Sequence, residues 1–122
     1  MWVSGVDWGF DLRGVQVNAS NIVYSAHVYP NRSCGEWSRF GHCFTDRPLF
    51  IGEWGGTADD LKWGLELIAY IKEVACGWTA WSWVDVPKLV QNARAADYNP
   101  TEFGKLVRSE LALQETSSNN PS

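Results

Sequence analysis

Pro48-Leu49-Phe50-Ile51-Gly52-Glu53-Trp54, closed by Gly55-Gly56, is a short apolar run with one carboxylate near its end. Apolar residues at consecutive rather than alternate positions imply a strand covered on both faces, and the glycine pair stops it. Directly after it, Thr57-Ala58-Asp59-Asp60 has the form of a capping box, and Leu61, Leu65, Ile68, Ile71 and Ala75 recur every three or four residues. That spacing predicts an amphipathic helix. Upstream, residues 21–29, Asn-Ile-Val-Tyr-Ser-Ala-His-Val-Tyr, form a second β-branched and aromatic run ended by Pro30. Downstream, Gly77-Trp78-Thr79-Ala80-Trp81-Ser82-Trp83-Val84 forms a third, ended by Asp85 and Pro87. Asn99-Pro100-Thr101-Glu102 then offers an N-cap, a proline at the first helical position and a glutamate at the third, before Phe103, Leu106, Val107 and Leu111. The 30–48 connection has room for one short helical turn near Glu36 to Phe40, and the polar residues 115–122 are expected to be a disordered tail.

Buried strands alternating with helices predict an α/β fold with a parallel sheet. In such sheets, open or closed into barrels, ligands sit at the carboxyl ends of the strands. The polar and aromatic residues there are His27 and Tyr29 on the first run, Glu53 on the second, and Trp81 with Trp83 on the third. Simple alternation places Ser25, His27 and Tyr29 on one face, Leu49, Ile51 and Glu53 on one face, and Thr79, Trp81 and Trp83 on one face. Singly, each has an ordinary structural reading, such as a satisfied core histidine or an ion pair between Glu53 and Arg47. Together, at matching strand ends, they point to a site.

Composition narrows its chemistry. Ten basic against fourteen acidic residues give a net charge of −4, so no basic surface for nucleic acid or anionic lipid is expected. No apolar run approaches the roughly 18 residues of a membrane span, and Met1-Trp2-Val3-Ser4 lacks the pattern of a signal peptide. Eight tryptophans stand among the 122 residues. A flat indole suits a core, or the stacking of sugars, bases and cations; without a basic patch, sugar is the better functional reading. Cys34 and Cys43 have a spacing that allows a disulfide across the loop, whereas Cys76 lies in an apolar run and reads as a buried thiol. No metal site is expected, the Cys34, His42 and Cys43 grouping being too loose. Asn18-Ala19-Ser20 and Asn31-Arg32-Ser33 match the glycosylation sequon.

The segment Pro48 to Gly55 resembles the part of glycoside hydrolase family 5, the cellulase-type retaining hydrolases, that carries the catalytic nucleophile at the end of barrel strand seven. Residues 21–29 resemble that family's strand six, Gly77 to Trp83 its strand eight, and Trp2 to Gly5 the end of strand five. The resemblance implies a partial (β/α)8 TIM barrel over residues 1–114, roughly strands five or six to eight with their helices. It implies Glu53 as nucleophile, His27 and Tyr29 as the residues that hold and polarise it, and Trp81, Trp83 and Trp54 as sugar-contacting indoles. It further implies a β-1,4-glucan or related polysaccharide as partner, no cofactor, and a parent protein that is secreted. A retaining glycosidase needs a second carboxyl group roughly 5 Å from the nucleophile. The family carries it in an Asn-Glu motif on strand four, and the chain has no Asn-Glu pair. Asp7, Glu36 and Asp85 are the nearest acidic residues without supporting context. A full barrel of this kind takes about 250 residues. The chain therefore reads as the half that carries the nucleophile, with a carbohydrate-binding remnant or a self-assembling half-barrel as alternatives. Two open edges and an inner face of Val23, Leu49, Ile51 and Thr79 then predict a homodimer or larger assembly.

Overall fold

The computed structural model describes residues 1–118. Four strands, β1 (Trp2–Ser4), β2 (Val23–Val28), β3 (Leu49–Trp54) and β4 (Gly77–Ala80), form one sheet in the order β1-β2-β3-β4. Every pairing is parallel. A short helix α1 (Ser38–Gly41), flanked by 3-10 turns, joins β2 to β3; α2 (Leu61–Val74) joins β3 to β4; and α3 (Glu102–Ser118) closes the described chain. This is the strand and helix alternation expected of a piece of an α/β barrel. None of the described helices is long and apolar enough to cross a membrane.

The core lies on the helix side of the sheet. Tyr24, Ala26 and Val28 of β2, and Leu49, Ile51 and Trp54 of β3, are buried beneath Leu67, Ile68 and Ile71 of α2 and Phe103 and Val107 of α3. Phe10, Leu12, Trp37, Phe40 and Cys43 extend this layer under the β2 to β3 connection. Lys72 and Glu110 join α2 to α3 through a 2.8 Å ion pair.

The face assignment on β3 differs from strict alternation. Ala26 pairs with Ile51, but His27 pairs with Glu53, so Gly52 is an extra residue on β3. A one-residue bulge reverses every side chain beyond it. Leu49 and Ile51 consequently point into the core, while Glu53 shares the opposite face with His27. A Cβ on Gly52 would lie 2.4 Å from the Ser25 hydroxyl and 3.2 Å from the His27 ring, so only glycine leaves room for that approach. The open face carries Trp2, 60% exposed, edge-on to Phe50 at 4.9 Å, with Thr79 bonded to the Gly52 carbonyl.

Two helix boundaries shift from their expected places for identifiable reasons. The Thr57–Asp60 capping box forms, with the Asp60 carboxylate accepting from the Thr57 amide at 2.7 Å, but it caps a 3-10 turn that leads into α2. At α3 the cap is Thr101 rather than Asn99: its hydroxyl accepts from the Gly104 amide at 3.0 Å. The same helix runs on to Ser118, so residues 115–118, expected within the disordered tail, are helical; 119–122 lie outside the described residues. Hydroxyls of Thr116, Ser117 and Ser118 donate back to the Leu113 and Gln114 carbonyls one turn earlier in the helix, at 2.9 to 3.0 Å.

The cysteine expectations are overturned. All three are free thiols: Cys34 is exposed, Cys43 is buried, and Cys76 is exposed rather than buried. The helical turns between residues 34 and 43 rotate Cys43 into the core, with its sulfur beside the Leu12 carbonyl, and leave Cys34 facing solvent. Cys76 precedes β4, where its thiol donates to the Leu49 carbonyl. Burial also raises the pKa of the Cys43 thiol, which makes it less reactive. Titration of the folded protein with a thiol reagent is expected to report Cys34 and Cys76 promptly and Cys43 only on unfolding, without prior reduction. Fewer than three thiols in unreduced, unfolded protein would restore the Cys34 to Cys43 bridge.

Candidate active site

Glu53 lies at the carboxyl end of β3, three-tenths exposed, with its side chain turned to the open face by the Gly52 bulge. Tyr29, just beyond β2, donates its phenolic hydrogen to Glu53 Oε2 at 2.8 Å. His27 Nδ1 stands 3.6 Å from the same oxygen. Burial, and then the hydrogen bond to Glu53, push the Tyr29 phenol above its ordinary value. Tyr29 therefore remains a donor throughout the neutral range and keeps the carboxylate aimed. The three residues singled out as a catalytic group do converge.

They open onto a cavity of about 350 Å³ lined by Asp7, Trp8, Phe10, His27, Tyr29, Asn31, Arg32 and Glu53. Half of that lining was not anticipated as a site. Asp7 and Trp8 come from the loop after β1, which folds back on itself through paired bonds between Val6 and Asp11 at 2.9 and 3.0 Å. Trp8 is 92% exposed at the mouth of the cavity. Arg32 pairs with Asp7 across it. The sequence signals available were the turn-forming Asp7-Trp8-Gly9 triplet and a cation placed two residues beyond Pro30.

The predicted indoles divide three ways. Trp81 follows β4, half-buried, with its amide bonded to the Trp54 carbonyl at 2.8 Å; it does not line the Glu53 cavity. Trp83 packs on Tyr98, ring centroids 5.5 Å apart, in a separate apolar groove against α3. Trp54 is fully buried, edge-on to Trp78 at 5.3 Å and to Phe103 at 5.4 Å, and has no surface to offer a sugar. Its place next to Glu53 in sequence misleads because neighbours on a strand point to opposite faces.

Two of the acidic candidates are ion-paired, and the third does not line the cavity. Asp7 lines the cavity but is ion-paired with Arg32. Glu36 accepts from the Ser33 amide at 3.0 Å and lies 3.6 Å from both Arg32 and Arg39. Asp85 is exposed in the turn after β4, its amide bonded to the Ser82 hydroxyl. Among the described residues no cluster of His, Cys, Asp and Glu has the geometry of a metal site.

No family model matches the sequence, and no curated protein aligns with it. Solved structures do match. A β-glucanase, SdGluc5_26A from Saccharophagus degradans in complex with cellotetraose, superposes with a TM-score of 0.79 at 19% identity, over 93% of this chain and 41% of that one. A structure from Cytophaga hutchinsonii gives 0.76 at 23% identity, over 95% of this chain and 44% of that one. The catalytic domain of Thermobifida fusca endoglucanase Cel5A (E5) gives 0.67 at 26% identity, over 83% and 38%. The neighbours thus include a β-glucanase and an endoglucanase, in keeping with the sequence resemblance to glycoside hydrolase family 5, and the chain spans about two-fifths of the neighbours' length.

Proposed function

We propose that the chain is the nucleophile-bearing part of a retaining glycoside hydrolase acting on a β-1,4-linked glucan. The observation that carries this reading is the convergence of Tyr29 and His27 on one oxygen of Glu53 at the carboxyl rim of a parallel sheet. Its support from outside the site is the shared fold with β-glucanase and endoglucanase structures. In this role Glu53 attacks the anomeric carbon, Tyr29 fixes the attacking carboxylate, and His27 contacts both the carboxylate and the bound sugar. Trp8 offers its exposed indole to a neighbouring pyranose, and Trp81 remains a candidate platform at the β4 rim. The acid that protonates the leaving oxygen belongs to a part of the barrel beyond these four strands, because each nearby carboxylate is paired or turned away. A natural setting on extracellular polysaccharide agrees with this chemistry. Covalent capture of Glu53 by an activated glycoside is the direct test.

The sheet also favours assembly. Both β1 and β4 are edge strands, and Trp2 and Thr79 leave the open face exposed beside half-buried Phe50. Unpaired parallel edges flanking an apolar face are a template for another chain. The inner face differs from the one expected: Leu49 and Ile51 are withdrawn into the core, and Trp2 and Phe50 take their place. The chain is expected to self-associate, with twice the monomer mass or more by light scattering at micromolar concentration. Trp2→Glu, placing a charge on that face, should shift it toward monomer. A wild-type monomer at high micromolar concentration would refute the assembly reading.

A further inference from the structure

We propose that the Asp7–Arg32 ion pair is a latch that holds Trp8 in position as a sugar platform beside Glu53, making Asp7 and Arg32 positioning residues for the glycan. The proposal rests on the glycan-binding reading and adds to it the device that sets the platform.

The loop after β1 is held in an unfavourable state. Asp7, Trp8 and Gly9 have successive φ angles of 55, 55 and 84°. Glycine adopts such angles freely, but tryptophan is strongly disfavoured there. The backbone at Gly9 cannot move away, because its carbonyl accepts from the His27 amide at 3.1 Å and a Cβ at Gly9 would lie 3.0 Å from the His27 ring. Trp8 thus combines a strained backbone with an indole that buries almost nothing of itself. Neither feature helps the fold, and together they mark a functional position at the mouth of the Glu53 cavity.

Strain of this kind persists only where neighbours enforce it, and Arg32 is the enforcing neighbour. Its guanidinium pairs with Asp7 and lies 4.5 Å over the Phe10 ring. Its carbonyl accepts from two indoles, Trp37 Nε1 at 3.1 Å and Trp63 Nε1 at 3.0 Å, which fix the backbone of residue 32 to the core layer. Arg32 therefore carries the rigidity of the β2 to β3 connection into the β1 loop. The ligand class that fits is a neutral pyranose chain: the cation is already neutralised by Asp7, with Glu36 at 3.6 Å, and the surface left for contact is a flat indole.

The test is calorimetric titration of the full chain with cellotetraose, comparing wild type with Trp8→Ala, Asp7→Asn, Arg32→Gln, Arg32→Lys and the double variant Trp8→Ala/Arg32→Gln. Trp8→Ala, Asp7→Asn and Arg32→Gln are each expected to weaken binding about tenfold. Arg32→Lys should recover part of the loss, and the double variant should bind no worse than Trp8→Ala, since the latch acts only through the indole. A merely structural role would not produce that non-additivity. Full affinity in Asp7→Asn and Arg32→Gln, with loss in Trp8→Ala, would overturn the latch and leave Trp8 as an unassisted platform. Full affinity in Trp8→Ala, or additive losses in the double variant, would overturn it as well. Absence of binding by the unaltered chain would overturn it together with the glycan reading, which labelling of Glu53 tests separately.

Discussion

Incubated with a 2-deoxy-2-fluoro cellobioside whose leaving group is a strongly acidic phenol, the chain is expected to gain the mass of one fluorinated glycosyl group on Glu53. Glu53→Gln is expected to gain none. Attack by a carboxylate oxygen forms a bond to the anomeric carbon while the bond to the phenol breaks, and the phenol departs as phenolate. No proton is needed for that departure, so the missing acid does not matter for this substrate. The fluorine slows breakdown of the covalent species and leaves it available to mass spectrometry. On cellulose the leaving alcohol is strongly basic, and the same chain is expected to be nearly inactive for want of a proton donor. Tyr29→Phe should slow labelling without abolishing it, because His27 still stands 3.6 Å from the carboxylate. An unlabelled wild-type chain that nonetheless binds cello-oligosaccharide would defeat the hydrolase reading and leave a carbohydrate-binding remnant.

Much of the fold was legible because its signals are local. Consecutive apolar residues mark β2 and β3 without reference to anything distant, and Ile68 and Ile71 of the predicted stripe are buried on α2, although Leu65 is exposed, Ala75 falls just past the helix end, and Leu67 and Val74 take their places on the buried side. The carboxyl ends of those strands then led to His27, Tyr29 and Glu53. What escaped depended on a single residue of register or on the chain's return through space. Counting by twos along Leu49, Ile51 and Glu53 fails because Gly52 is inserted opposite the step from Ala26 to His27, and a bulge leaves no periodic trace in one sequence. Trp8 and Arg32 lie 24 residues apart and meet only because β1 and β2 are adjacent parallel strands. The separation of Cys34 from Cys43 is of the same kind, since helical turns decide which thiol faces in.

Trp54 shows how far the two readings of a tryptophan can differ in consequence. If it contacted sugar, its removal would weaken glycan binding and leave the melting transition in place. Its position between Trp78 and Phe103, fully buried under α2 and α3, predicts the reverse. Trp54→Ala deletes the largest fully buried side chain and leaves a void between the sheet and both helices, a loss of about 3–5 kcal/mol for such truncations. Against the roughly 5–15 kcal/mol that holds a domain folded, that is enough to lower the thermal midpoint sharply or abolish the transition. Trp54→Phe is the informative companion. It keeps a ring against Trp78 and Phe103 and removes the indole N–H, which is buried without an acceptor. Losing an unsatisfied donor offsets part of the lost volume, so the phenylalanine variant should remain folded and label at Glu53 as wild type does. Circular dichroism melts of the two variants decide the matter: a stable Trp54→Ala chain with weakened cellotetraose binding would return Trp54 to the site, and an unfolded one beside a folded Trp54→Phe keeps it in the core.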